Sequence, residues 1–246
     1  MRQENKRSGF FTFAFIPELN NQMNIQLLTD CQDPEPLFQS PLWCAEVKLD
    51  GDWRRVIKSG NEVIGFTREG NRVALSEEKV ALAMLSPFDF VLDGEQMPAG
   101  RFVAFDIYGL MGSPVLSDNS ARRDILCDVW KGEVVERVIG EEAKRELCER
   151  VKASGGEGIV LKRVDAPYME GRTPYCQRWK NYQQEVFEVA SVNIAKCSIE
   201  VTRDGVSFGG VPVQSLARLP KVGDKILVKY ERVTERGKLL RAVLAK

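Results

Sequence analysis

The stretch CAEVKLDGDWRRV, residues 44–56, sets a lysine at the end of an alternating, strand-like run. Ala45 and Val47 alternate with Cys44 and Glu46, and Lys48 continues the run into Leu49, Asp50 and Gly51. A charged ammonium taken out of water is costly. A lysine here therefore either snorkels its head to solvent or is held for chemistry. In its neutral form the amine is a competent covalent nucleophile. The spacing places Asp50 on the same strand face as Lys48, and Gly51 permits a tight turn or a close approach to a ligand. A surface lysine before an ordinary turn has the same four letters, so KLDG does not decide by itself.

Composition narrows the chemistry. With 246 residues the chain suits one large domain, or one large and one small. Lys+Arg and Asp+Glu balance at 35 each, so bulk charge does not advertise a polyanionic partner. From residue 185 onward, however, 11 Lys/Arg face seven Asp/Glu. A basic end behind a mildly acidic body is compatible with nucleic-acid contact. There is no histidine, which removes Ser-His and Cys-His nucleophile systems, histidine general bases and most zinc sites. The cysteines at 31, 44, 127, 148, 176 and 197 form no CxxC pair. They read as reduced, packed thiols of a cytoplasmic protein. No run approaches a transmembrane span. The apolar GFFTFAFIP (residues 9–17) has the basic flank of a signal peptide but lacks a small-residue cleavage site, and Met23 could be a second start. The expectation is a monomer with no membrane contact.

Along the chain, residues 1 to about 40 are poorly patterned, with turn-rich connectors. From Trp43 to Leu75 the alternation, broken by SGN and EGN turns, predicts a meander of strands. SEEKVALAML predicts a helix opened by Ser76. Two strand runs follow, FDFVLDGEQM and RFVAFDIYGLMG. SDNSARRDILCDVW and GEEAKRELCERVKASGG then read as helices, the second stopped by a glycine pair, and EGIVLKRV returns to strand. Composition shifts near residues 183–185, beyond which about five short strands predict a small barrel of the oligonucleotide-binding kind. The fold class expected is α+β, with a larger domain over residues 1–183, its first 22 or so a possible tail, and a barrel over 184–246.

Reading on from Lys48, further strings appear in a fixed order. They are FTREGN with Arg68, VLDGEQM with Glu95, FVAFDIYG with Phe105, GGEGIVLKR with Glu157 and Lys162, PYMEGR with Arg172, and QRWKNY with Lys180. In this ordered series the sequence resembles the covalent nucleotidyltransferase superfamily, the ATP-dependent DNA ligases and mRNA capping enzymes. It is most similar to the compact bacterial and viral ATP-dependent DNA ligases, over residues 42–241. The resemblance implies a nucleotidyltransferase (adenylation) domain followed by the OB-fold. It implies that Lys48 attacks the α-phosphorus of ATP to form lysyl-AMP, that AMP passes to a DNA 5′-phosphate, and that the 3′-hydroxyl displaces it. Such in-line displacements need positioning and charge neutralisation more than covalent chemistry.

By the same resemblance Lys180 holds the α-phosphate, and its positive field helps keep the Lys48 amine neutral. Glu95 and Glu157 serve the nucleotide and a divalent metal, Mg²⁺ or Mn²⁺, with Glu95 alternatively holding the ribose. Phe105 stacks on adenine, and the Glu46 position reads the adenine edge. Arg68 binds a phosphate of the nucleotide or the nick. Lys162 joins the nucleotide contacts, while Arg172 and Arg241 join the phosphate contacts. The implied partner is nicked duplex DNA. RNA ligation, capping-type guanylyl transfer and a catalytically impaired nucleic-acid-binding relative stay open. SGGEG is no P-loop, since no GxxxxGK[ST] occurs.

Three departures from the family pattern stand out. Trp53 occupies the place of the usual arginine of the first motif, so either a bulge lets Arg54 take over or that phosphate contact is lost. Tyr182 stands where a second lysine usually follows Lys180. The terminal basic motif is short, offering Arg241 and Lys246.

Overall fold

The computed structural model describes residues 25–213 and 219–245. The 9–17 stretch, Met23 and Lys246 lie outside the described residues. Two sheets face each other across a cleft, and a third follows them in the chain. The first has five strands in the order Gln26–Asp30, Gly171–Lys180, Gly158–Arg163, Trp43–Val47 and Arg137–Ile139. Only its first pair is parallel. The second sheet runs Arg72–Val73, Glu62–Phe66, Asp52–Ser59, Phe90–Gln96, Phe102–Leu110 and Ser113–Pro114, with Glu133–Val134 added in parallel to Phe102–Leu110.

The expected meander from Trp43 to Leu75 therefore breaks at the lysine. Trp43–Val47 belongs to the first sheet and Asp52–Ser59 to the second, and residues 48–51 are the crossover between them. Lys48 and Asp50 thus lie beyond the strand rather than on one of its faces. The Lys48 N–H still donates to Gly158 O at 2.9 Å, anchoring the crossover to the first sheet. At its far end a Cβ on Gly51 would stand 2.5 Å from Gln96 O, so only glycine fits where the chain dives beside the second sheet.

Each sheet has a backing layer. Helix Glu141–Ala153 packs Leu147 and Val151 against Ala45, Ile159 and Leu161 of the first sheet. Its Lys144 is fully buried and donates to the carbonyls of Leu37, Ser40 and Trp43 at 3.0, 2.7 and 2.9 Å, which satisfies the buried ammonium. Helix Asn119–Val129, capped by the Asp118 carboxylate on Ala121 N–H (2.8 Å), packs Leu126 against Leu92, Ala104 and Ile107 of the second sheet. Helix Glu77–Met84 begins at Ser76 as its capping pattern predicts. Facing the cleft, Ile25, Trp53, Ile57, Phe66 and Val91 form a separate apolar layer. Within the poorly patterned region, Gln26–Asp30 is a strand after all. Its parallel partner lies far along the chain at Gly171–Lys180, a pairing that local pattern does not carry.

The third sheet follows Lys180. Its five strands run Val206–Pro212, Ser198–Arg203, Gln183–Asn193, Lys225–Tyr230 and Val243–Leu244, around a core of Phe187, Val189, Val201, Val211 and Val228. The expected strands are present, and among the described residues no ladder joins Val206–Pro212 to Val243–Leu244, so the sheet is not closed. A separate hairpin pairs Arg232–Val233 with Leu239–Leu240.

Candidate active site

The crossover places Lys48 at the junction of two connected cavities. One, about 130 Å³, is lined by Leu28, Trp53, Phe105, Val160 and Tyr168. The other, about 680 Å³, is rimmed by Arg54, Arg68, Arg172, Arg178, Lys180 and Arg241. Lys48, Arg68 and Glu95 line both. The cleft thus grades from an aromatic end to a cationic end with a lysine between them. That suits a molecule with a flat apolar head and an anionic tail.

Glu157 organises the cationic end. One of its oxygens meets Lys48 Nζ at 2.5 Å, while the other lies 3.7 Å from Lys180 Nζ and 3.5 Å from Arg241 Nη1. Its backbone is held by the next residue. Gly158 has φ +149, and a Cβ there would come within 2.1 Å of Trp179 O, so the strand after Glu157 closes tightly on its neighbour only as glycine. Lys180 and Arg241 also share a second carboxylate, Glu231.

Glu95 lies opposite on the second sheet, paired in register with Trp53. Burial pushes its pKa up to about 7, against the pull of Lys48, Arg68 and the Gly51 N–H, and the Glu157 charge adds to the rise. The Glu95 and Glu157 carboxylates both line the larger cavity, a pair of hard oxygen donors that fits a divalent cation. Mg²⁺ or Mn²⁺ takes one or two protein carboxylates and completes its shell with water and phosphate oxygens. Among the described residues no group of three or more His, Cys, Asp or Glu side chains that could hold a metal ion is present.

Phe105 owes its place to a bulge. Asp93 pairs with Asp106 and Gly94 with Ala104, so Phe105 has no partner across the ladder. Its carbonyl, released from the ladder, accepts from Lys162 Nζ at 3.0 Å, and the same ammonium sits 5.4 Å from the ring centroid. Lys162 is buried and paired with Glu46 at 2.7 Å and Asp106 at 3.9 Å. Burial alone would lower its pKa, but the two carboxylates outweigh it and the net shift is upward. Lys162 and Glu46 therefore form a buried pair in the wall of the smaller cavity, with Lys162 bracing Phe105.

The remaining expected positions are placed as follows. Asp52–Lys58 pairs continuously with Phe90–Gln96, so no bulge reorients Arg54. Its guanidinium bonds Asp52 at 3.1 Å and Trp53 O at 2.8 Å on the rim of the larger cavity. Trp53 itself is buried against the smaller one. Arg172 lines the larger cavity and donates to Leu28 O at 2.8 Å. Tyr182 is absent from both cavity walls; it is 37% exposed, with Lys229 Nζ 4.2 Å above its ring.

Several cleft residues escaped the sequence reading. Arg178 lies two before Lys180 in one strand, so alternation alone could have put both on one face. Tyr168, inside the PYMEGR string, donates to Asp93 at 2.9 Å and accepts from Gln26 N–H at 3.0 Å. Asp93 also takes Arg55 in a two-pronged pair at 2.7 and 2.9 Å. Glu231 had no local signal.

Comparison with protein-family profiles gives no match, and comparison with curated proteins gives none. Solved structures do match. A Lig E DNA ligase, from work on DNA binding with a minimal scaffold, superposes with a TM-score of 0.70 at 22% identity, covering 91% of this chain and 98% of that one. A protein described as Pmar-Lig_PreS3 also gives 0.70, at 18% identity over 91% of this chain and 67% of its own. A mycobacterial DNA ligase D complexed with ATP gives 0.58, at 22% identity over 89% and 93%. The chain has the fold of ATP-dependent DNA ligases. No helix among the described residues is long and apolar enough to cross a membrane.

Proposed function

We propose that the protein is an ATP-dependent ligase that seals 5′-phosphate/3′-hydroxyl nicks in duplex DNA through a lysyl-AMP intermediate on Lys48. The observation that carries this reading is the position of Lys48, at the boundary between an aromatic pocket and a cationic cleft and 2.5 Å from the Glu157 carboxylate. A purine stacked on Phe105 in the smaller cavity would direct its phosphates past Lys48 toward Lys180, Arg68 and Arg241.

In the first step the Lys48 nitrogen forms a bond to the α-phosphorus while the bond from that phosphorus to the bridging oxygen breaks, releasing pyrophosphate. The amine gives up a proton, and the Glu157 oxygen beside it is the acceptor within reach. Lys180 neutralises charge on the α-phosphate as it develops, and Arg241 does the same toward the leaving group. In the second step an oxygen of a DNA 5′-phosphate displaces Lys48 from the AMP phosphorus. In the third a 3′-hydroxyl attacks that 5′-phosphate and AMP departs. Glu95 and Glu157 would hold a divalent cation that draws charge from the phosphate oxygens. Arg54, Arg68, Arg172 and Arg178 form the cationic rim that meets the DNA backbone. Residues 1–183 serve as the nucleotidyltransferase domain and 184–246 as an OB-type module that swings between nucleotide and DNA, in a cytoplasmic monomer.

The test is a covalent-adduct assay. Protein is incubated with α-labelled ATP and Mg²⁺, denatured and mapped, with GTP and NAD offered in parallel and nicked DNA and RNA as acceptors. Label on Lys48 from ATP, chased onto nicked DNA and lost on sealing, is the expected result. Unlabelled protein that also fails to seal a nick would overturn the reading. Labelling by GTP, or transfer to RNA alone, would move it to capping or RNA ligation.

A further inference from the structure

The chemistry above gives no role to the buried carboxylate that touches both Lys180 and Arg241. Glu231, 6% exposed at its side chain, follows the strand Lys225–Tyr230 and reaches across into the cleft. One oxygen bonds the Lys180 ammonium, and the other lies 2.8 Å from Arg241 Nη1. Its main chain is fixed by Glu231 N–H to Leu240 O at 3.0 Å, at the base of the Arg232–Val233/Leu239–Leu240 hairpin. Arg241, just past that hairpin, adopts φ +51, a left-handed conformation uncommon for a residue with a side chain. The neighbouring Arg232 pairs with Asp50 of the crossover at 3.1 Å. The hairpin that follows Lys225–Tyr230 is thus tied over the Lys48 loop by ion pairs, with Glu231 at their centre.

A carboxylate that places one oxygen on each of two cations offers what two non-bridging oxygens of a phosphate would offer the same cations. We propose that Glu231 is an internal stand-in for the polyphosphate: in the nucleotide-free protein it occupies Lys180 and Arg241, and a di- or triphosphate must displace it to bind there. The identity of the displacing ligand as a nucleotide rests on the function proposed above. The exchange itself requires only a polyphosphate.

This role makes an unusual pair of demands on one substitution. Removing the Glu231 charge leaves Lys180 and Arg241 short of a counter-ion, so the free protein loses stability. The same change removes the competitor, so a polyanion binds more tightly. A residue that merely positioned Lys180 and Arg241 would weaken binding when altered.

The experiment measures the Kd of inorganic tripolyphosphate, of non-hydrolysable α,β-methylene-ATP and of adenosine for wild type, Glu231→Gln and Glu231→Asp, by calorimetry, with melting temperatures of the free proteins alongside. The aspartate, one methylene shorter, keeps the charge but cannot reach both cations. The expected result is tripolyphosphate and the analogue tighter by about tenfold in Glu231→Gln, and tighter to a smaller extent in Glu231→Asp. Adenosine should be unchanged, and the melting temperature of the free Glu231→Gln protein lowered. Tripolyphosphate affinity unchanged or weakened in both variants would overturn the exchange, as would an equal change in adenosine affinity. Tightening of tripolyphosphate with no analogue binding by any form would uphold the exchange and count against the nucleotide reading instead.

Discussion

Lys48 and Glu157 meet at 2.5 Å although 109 residues separate them, because the crossover between two sheets starts beside the point where the strand Gly158–Arg163 begins. The pair joins the proposed nucleophile to a proton acceptor, and it separates two roles that substitution can test. Lys48→Arg keeps the ion pair but offers no usable nucleophile, so covalent labelling by ATP should fall to background while a nick already carrying 5′-adenylate is still sealed. Intact-mass measurement after incubation with ATP and a gel assay on the pre-adenylated nick check both halves.

Glu157→Gln removes the acceptor and the carboxylate shared by Lys48, Lys180 and Arg241. The rate of self-adenylylation at saturating ATP should drop by about 10²–10⁴-fold, the range of general acid–base contributions. Single-turnover labelling gives the number. A loss under fivefold would show that the proton leaves by another route.

Glu95 gives a pH signature. Burial raises its pKa to about 7 in the folded protein, from an ordinary value of 4.5. Between those values the folded state holds a proton that the unfolded state has released. The carboxyl therefore lowers stability progressively as pH rises through that window. Glu95→Gln should be close to neutral at pH 4.5 and stabilising above pH 7, by on the order of 1–2 kcal/mol after allowance for partial exposure. Urea melts across pH 4.5–8 in the absence of nucleotide and metal report it. A difference that stays flat with pH would place the Glu95 titration elsewhere.

Much of the cleft could be read directly from the chain because its chemistry sits in short strings. Lys48, Glu95, Phe105, Glu157 and Lys180 each carry a local signature, and the folded chain brings them to one cleft or its immediate wall. What could not be read depends on distance along the chain. Glu231 reaches Lys180 across 51 residues, and Tyr168 reaches Asp93 across 75. Neither contact leaves a trace in local periodicity. Lys162 illustrates the opposite difficulty. Its string suggests a nucleotide contact, and Lys162 lines the smaller cavity, but the string does not show the pairing with Glu46 and Asp106, which depends on side chains from three strands. The meander failed at Lys48 for a related reason: alternation looks the same whether consecutive strands share a sheet or cross between two.

The Lys162–Glu46 pair predicts an asymmetric pattern of stability. Lys162→Met leaves Glu46 buried without its nearest cation and should destabilise the fold by about 3–5 kcal/mol. Adding Glu46→Gln to it should restore a large part of that loss, since both buried charges are then gone. Equilibrium urea denaturation of the two single variants and the double variant measures the coupling. Strict additivity would contradict a direct pair.

DNA affinity should fall steeply with salt, with Arg172 and Arg178 each accounting for a share. Replacing either by alanine should reduce the slope of log K against log salt by about 1 for nicked duplex. Fluorescence anisotropy between 50 and 200 mM salt is sufficient. An unchanged slope would remove that arginine from the backbone contact.

The extra residue at Phe105 has a wider meaning for how this protein tolerates change. The nine residues of Phe102–Leu110 pair against the seven of Phe90–Gln96, with Phe105 and Tyr108 each left without a partner, so the segment between these two is out of phase with both ends of the strand. Deleting Phe105 would turn the segment between the two bulges to the opposite face, carrying Asp106 away from Arg122 as well as removing the ring from the pocket. The stretch should therefore accept substitutions of similar size but no change in length, whereas the surface turn at Gly60, which touches neither cavity, has room for insertions.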